Sequence, residues 1–217
     1  MLVIFDLDDT LIDTSGSVTP FKMRQCLQRM IDEGNVVDNF DEAYAELLAL
    51  NAEAPSSKDA INYFIDKRKY SRNQLSKVLA ELTSPLPSDF SIPMTPQAKE
   101  VLTFLAQFHT VALVTGGNVC FQREKMEKAG LDSSIFSTIS ILEDSIKKPA
   151  YEVLIKNFSK SSDQVWVCGD RIEMDLLPAK ELGARTIHMR WGRGKKKSVD
   201  WVDHSISMLS ELKEIIV

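Results

Sequence analysis

Three apolar residues that run into a pair of carboxylates, Val3-Ile4-Phe5-Asp6-Leu7-Asp8, constrain the folds open to this chain. So short and so apolar a run suits a strand buried on both faces of a parallel sheet. Asp6 and Asp8 stand two residues apart, so an extended backbone turns both side chains to the same side. Carboxylates that close repel each other, and such a pair persists only beside a cation or a shared proton. A strand ending in an acidic turn has the same local pattern, since Asp is common in turns. The rest of the chain decides between a turn and a site.

After the first strand the pattern turns helical. Thr19-Pro20 reads as a cap with proline in the first turn, and Gly34 closes that helix. Asp38 or Asn39 opens a second helix, Ser56 with Asp59 a third, and Ser71 with Gln74 a fourth. Their apolar stripes predict a small bundle over residues 15–90. Pro85, Pro87, Pro93 and Pro96 then stiffen a connection that reads as a boundary. Beyond it strand and helix alternate. Strands are expected at Thr110 to Val114, Ser137 to Leu142, Gln164 to Cys168 and Arg185 to Met189. Helices are expected from Thr95-Pro96 to Phe108, up to Gly130, after Lys148-Pro149, from Asp170 to Gly183, and from Ser207 to Ile216. Alternation of this kind implies a parallel sheet with right-handed crossovers. Arg190 to Lys197, basic and glycine-containing, reads as a mobile loop. The basic run Lys67-Arg68-Lys69 reads as a solvated helix end.

Composition narrows the function classes. A chain of 217 residues can bury one sizeable core and carry an insertion. The net charge of -5 argues against a nucleic-acid groove or an anionic membrane surface. No stretch reaches the roughly 20 apolar residues of a bilayer span. The chain starts on a core strand, with no apolar signal segment ahead of it. Cys26, Cys120 and Cys168 are odd in number and far apart, which suggests no disulfide framework and a reduced, cytoplasmic setting. The three histidines lack zinc-ligand spacing.

Polar residues end the strands. Asp6 and Asp8 follow the first, Thr115-Gly116-Gly117 the second, and Gly169-Asp170 the fourth, with Asp175 five residues on. Lys148 lies in the loop after the third. A parallel sheet gathers these ends along one edge, where an open sheet binds its ligands. Four carboxylates there need a hard cation, and an all-oxygen donor set suits Mg²⁺. A hydroxyl and an ammonium beside it make a site for the non-bridging oxygens of a phosphoryl group.

These residues resemble the haloacid dehalogenase-like superfamily of phosphotransferases, through four motifs in that family's order. They are the DxDxT string Asp6 to Thr10, the apolar strand ending in Thr115, the Lys148-Pro149 pair, and Gly169-Asp170 with Asp175. The resemblance implies an α/β fold in which a Rossmann-like core, residues 1–14 and 91–217, carries an inserted helical cap of the C1 type, residues 15–90. It further implies that Asp6 is a nucleophile forming an aspartyl-phosphate and Asp8 the acid and base. Asp6, the Asp8 carbonyl, Asp170 and Asp175 would hold Mg²⁺, while Thr115, Gly116 and Lys148 would hold phosphoryl oxygens. Lys147 is then read as solvated. An Asp at position 9 makes the string look closer to nucleotidase-like or sugar-phosphatase branches.

The expected activity is a Mg²⁺-dependent phosphatase for a small phosphorylated metabolite such as a sugar phosphate, a phosphoglycolate-like compound or a nucleotide monophosphate. A sugar-phosphate mutase would use the same residues, and a phosphate-ligand-binding homologue could keep the pocket without turnover. A signalling receiver domain also surrounds a phospho-Asp with acids, a Thr and a Lys, but it places the Asp after its third strand. No nucleic-acid or membrane partner is expected, and the protein could be a monomer or a dimer.

Overall fold

The computed structural model describes residues 1–158 and 161–216. Among them six strands form one sheet: β1 (Leu2–Phe5), β2 (Thr110–Gly116), β3 (Thr138–Leu142), β4 (Val165–Gly169), β5 (Arg185–Met189) and β6 (His204–Ile206). Their order is β3-β2-β1-β4-β5-β6, with every pair parallel. All four residues of β1 are buried because the strand lies between β2 and β4 and is covered on both faces. Phe5 pairs with Leu113 on one side and Cys168 on the other, so the residues after all three strands emerge together. The sheet order also reverses at β1, which opens a crevice at the carboxyl ends beside it. The core is therefore the α/β, Rossmann-like sheet expected from the strand and helix alternation.

The chain divides into two compact units, Met1–Ser15 with Pro87–Val217, and Gly16–Leu86. The second contains α1 (Thr19–Asp32), α2 (Phe40–Glu53), α3 (Ser57–Arg68) and α4 (Leu75–Ala80). Asn39 and Ser56 cap α2 and α3 through their side chains, satisfying amide groups that a helix start leaves unpaired. Met23, Leu27, Leu47, Ile61 and Phe64 pack into one core from three of these helices. The fourth helix starts at Leu75 rather than Ser71, because the Ser71 hydroxyl accepts the amide of Asn73 in a turn of its own. At the end of α3, Lys67 and Arg68 both pair with Glu46, so that basic run is not merely solvated.

In the first unit α5 (Ala98–Ala106), α6 (Val119–Lys128), α7 (Lys148–Phe158), α8 (Leu177–Lys180) and α9 (Leu212–Ile215) accompany the sheet. Leu2, Ile4, Val114 and Val167 pack with Tyr151 and Leu154 of α7 on one face of it. Burying a side chain of that size contributes about 1.5–3 kcal/mol. Three expectations change here. The segment after β4 is a wide π-type turn, Ile172–Leu176, leading into a short α8 that holds Pro178, rather than one helix. A sixth strand precedes the C-terminal helix, whose start is delayed because Glu211 Oε1 accepts the amides of Ser207 and Met208. The Arg190–Lys197 loop is seated rather than loose: Gly194 is buried and Trp191 Nε1 donates to Asp13 Oδ1 at 2.9 Å.

Candidate active site

The carboxylates gather where the sheet topology sends them. Asp6 follows β1 directly, and its amide donates to the Cys168 carbonyl at 2.9 Å, tying it to β4. Asp170 follows β4, and the wide turn after it swings Asp175 back over Gly169. A Cβ at Gly169 would lie 2.6 Å from the Cβ of Asp175, so only glycine admits that approach. Asp175 Oδ2 then accepts the Arg171 amide at 2.9 Å, which fixes its orientation. Oxygen atoms of Asp6, Asp170 and Asp175 lie within 4.8 Å of one another, and all three residues are buried.

The lysine of the site is Lys147, not Lys148. Lys147 Nζ donates to Asp6 Oδ1 at 2.5 Å and to Asp175 Oδ1 at 2.6 Å, with 4% of its side chain exposed. Lys148 is the first residue of α7, and its side chain points outward to Glu181 at 2.7 Å with 42% exposed. Adjacent residues at a helix start face different ways, so only one of the two can enter the site. The Lys-Pro pairing thus pointed one residue too far.

One ammonium does not neutralise three carboxylates. Burial first, then Asp175 and Asp8, pushes the Asp6 carboxyl up to about 7 against the pull of Lys147. Burial and the neighbouring Asp175, Asp9 and Asp6 push Asp170 well above the usual carboxylate range. Burial opposes the charge on Lys147, yet Asp175 and Asp6 outweigh it and raise its pKa. An all-oxygen cluster with this excess of negative charge fits a hard divalent cation.

Asp8 has a different environment. Lys125 Nζ donates to Asp8 Oδ1 at 2.5 Å, as does Thr14 Oγ1 at 2.5 Å, and Gln122 Nε2 donates to Oδ2 at 2.9 Å. Burial would raise this carboxyl, but Lys125 and the hydrogen bonds hold it below its ordinary value. Gln122 Nε2 also reaches Thr115 Oγ1 at 2.6 Å and the Gly116 carbonyl at 2.9 Å. Thr115 and Gly116 end β2, so the structure brings both to the same place as Asp8. Asp9 takes a left-handed conformation, φ 56°, and turns its carboxylate to the amide and hydroxyl of Ser15 at 2.7 and 2.5 Å.

The sequence reading set Lys147 aside as solvated and the loop after β5 as mobile, and it did not single out Gln122, Lys125 or Thr14. A signal existed for two of them. Gln122 and Lys125 fall on the buried stripe of α6 between Phe121 and Met126, where polar residues are costly unless they have partners. The loop after β5 closes on the same acids. A Cβ on Gly192 would collide with the Asp9 carboxylate, and one on Gly194 with the Asp170 carbonyl oxygen. Between them Arg193 faces Asp9, Asp170 and Asp8, although burial and then Arg171 lower its pKa.

A family model described as haloacid dehalogenase-like hydrolase matches residues 1–183. The chain belongs to the haloacid dehalogenase-like hydrolases. Among curated members of related sequence, the glyceraldehyde 3-phosphate phosphatase of Pyrococcus furiosus is 27% identical, over 99% of this chain and 91% of that protein. The enzyme of the same name from Methanocaldococcus jannaschii is 26% identical, over 99% of this chain and 96% of that one. A solved haloacid dehalogenase-like family hydrolase from Streptococcus pneumoniae superposes with a TM-score of 0.72 at 16% identity, over 100% and 98% of the two chains. The HAD-hydrolase YfnB from Bacillus subtilis, solved bound to magnesium, gives 0.68 at 18% identity, over 99% and 97%. No helix among the described residues of this haloacid dehalogenase-like hydrolase is long and apolar enough to cross a membrane.

Proposed function

We propose that this hydrolase is a Mg²⁺-dependent phosphatase that cleaves a small sugar phosphate, of triose size, through an aspartyl-phosphate on Asp6. The observation that carries the reading is Lys147 between Asp6 and Asp175, with Asp170 completing a buried cluster of three carboxylates. That is an anionic nucleophile with a fixed cation on one side and room for a metal on the other. The phosphatase names of the relatives support the reaction and the triose phosphate.

Asp6, Asp170 and Asp175, with the backbone carbonyl of Asp8, would hold the Mg²⁺. Bound there, the ion supplies charge stabilisation to the phosphoryl oxygens and lets Asp6 approach them as a carboxylate. In the first step an Asp6 oxygen attacks phosphorus, the bond to the sugar oxygen breaks, and Asp8 passes to that oxygen a proton taken up from solvent as the complex forms, against the preference of Lys125 for its ionised form. In the second step Asp8 takes a proton from water as the water oxygen attacks phosphorus, releasing phosphate and restoring Asp6. Lys147 keeps Asp6 aimed and, with the Thr115 hydroxyl and the Gly116 region, binds the non-bridging oxygens. The test is turnover of p-nitrophenyl phosphate and of a panel of phosphorylated sugars, with Mg²⁺ and with EDTA. Metal-dependent phosphate release, fastest with triose phosphates, is expected. Release that is unchanged in EDTA would refute the metal assignment, and a preference for nucleotides or larger sugars would refute the substrate class.

A further inference from the structure

The catalytic loops are held by one helix in a way that the four motifs do not account for. Gln122 and Lys125 lie one turn apart on α6, 2% and 5% exposed, and both aim into the site. Gln122 Nε2 meets three acceptors, Asp8 Oδ2, Thr115 Oγ1 and the Gly116 carbonyl. A carboxylate and a carbonyl can only accept, so the Gln122 atom between them must be the amide N–H₂. The amide has two hydrogens for three acceptors, so one is shared, and since its nitrogen cannot accept, the Thr115 hydroxyl at 2.6 Å accepts from Gln122 and turns its own hydrogen away. Lys125 touches Asp8 and not Thr115, and it shares Asp8 Oδ1 with Thr14.

We infer that Gln122 and Lys125 are positioning residues: Gln122 directs the Thr115 hydroxyl hydrogen toward the phosphoryl group, and both residues fix the Asp8 carboxylate. Gln122 thereby links the group that binds phosphate to the group that moves the proton. With Gln122 donating to its oxygen, the Thr115 hydroxyl keeps its hydrogen directed away from Gln122, where a phosphoryl oxygen can accept it. The buried stripe of α6 gives up apolar packing at these two positions, and the hydrogen bonds to Asp8 and to the end of β2 offset that loss. This inference rests on the proposed roles of Asp8 and Thr115.

A double-mutant cycle tests it, with p-nitrophenyl phosphate and Mg²⁺ as substrate and inorganic phosphate as competitive inhibitor. Gln122→Met keeps the length and removes the donor, and Thr115→Val removes the hydroxyl. Each should lower kcat/KM and weaken phosphate inhibition by roughly 10- to 100-fold, the scale of one mis-aimed hydrogen bond. If Gln122 acts on phosphate binding through Thr115, the double variant should weaken phosphate inhibition no more than about threefold beyond Thr115→Val, while kcat, which also reads the Gln122 contact with Asp8, falls further. Losses of phosphate inhibition that multiply would overturn the inference while leaving the phosphatase reading intact. An inactive wild type would overturn that reading, and the inference with it. Lys125 supplies a second test that does not depend on Gln122→Met folding. Lys125→Met should lower kcat about tenfold or more yet leave the phosphate inhibition constant within about threefold, and Lys125→Arg should restore part of kcat. Unchanged kcat in Lys125→Met, or an equal loss in phosphate affinity, would contradict the assignment.

Discussion

At the scale of single residues, Lys147 and Lys148 separate what a charge does inside the site from what it does on the surface. Lys147 is buried between two carboxylates, and removing it would leave Asp6 and Asp175 facing each other with no protein cation between them. Lys147→Ala should therefore lower kcat/KM by roughly 10²- to 10³-fold, the usual cost of losing one preorganised electrostatic contact. Lys148→Ala removes only an exposed pair with Glu181 and should leave turnover within about twofold. Steady-state rates of the two variants under one set of conditions check this, and the opposite ranking would place Lys148 in the site. Asp6, Asp170 and Asp175 do meet. Asp6 and Asp170 were legible in the sequence because strand ends are, and Asp175 only through its spacing from Gly169-Asp170 in the motif. The lysine was not, because two adjacent lysines differ only in which way a helix start turns them. Gln122 and Lys125 stood out only as polar residues on a buried stripe, and nothing in their spacing names the partner they share, Asp8, which lies 114 and 117 positions away.

At the scale of elements, the strands with long apolar runs were readable and the short polar one was not. His204–Ile206 holds three residues, too few for an alternating pattern to emerge, and only Ile206 among them is buried. What secures this strand to β5 is Asp203. Its Oδ2 accepts the amide and the hydroxyl of Thr186, each at 2.8 Å, and Lys180 reaches it at 3.1 Å. Burial alone would raise this carboxyl, but the Thr186 bonds and Lys180 outweigh it and lower the pKa. A carboxyl more acidic in the folded chain than in the unfolded one adds stability above the unfolded pKa, about 3.9. That stability is lost as pH falls through the lower, folded value. Asp203→Asn should cost roughly 0.5–1 kcal/mol at neutral pH, discounted for partial exposure, and its melting curve should converge on wild type as acid is added. A deficit that does not shrink at all as pH falls below the unfolded pKa would mean that packing rather than charge is lost. The wide turn after β4 was hidden in the same manner as β6, since Asp175 looks like any helical Asp until its position over Gly169 is known.

At the scale of the whole molecule, the chain leaves the sheet unit near Ser15 and returns at Pro87, so the helical unit is an insertion between Asp8 and Thr115. Asp8 and Thr115, two of the segments that build the site, are thereby separated in sequence without disturbing the β1–β2 pairing, whose register begins at Leu2 and Thr110. The proposed reaction turns on one chemical event, transfer of a phosphoryl group to Asp6. Rapid acid quench of the Mg²⁺-loaded enzyme with excess triose phosphate, followed by peptide mass spectrometry, tests it most directly. One added phosphoryl group is expected on the N-terminal peptide, located at Asp6, and absent from both the EDTA-treated enzyme and Asp6→Asn. A phosphoryl group on any other residue, or turnover by Asp6→Asn at the wild-type rate, would contradict it.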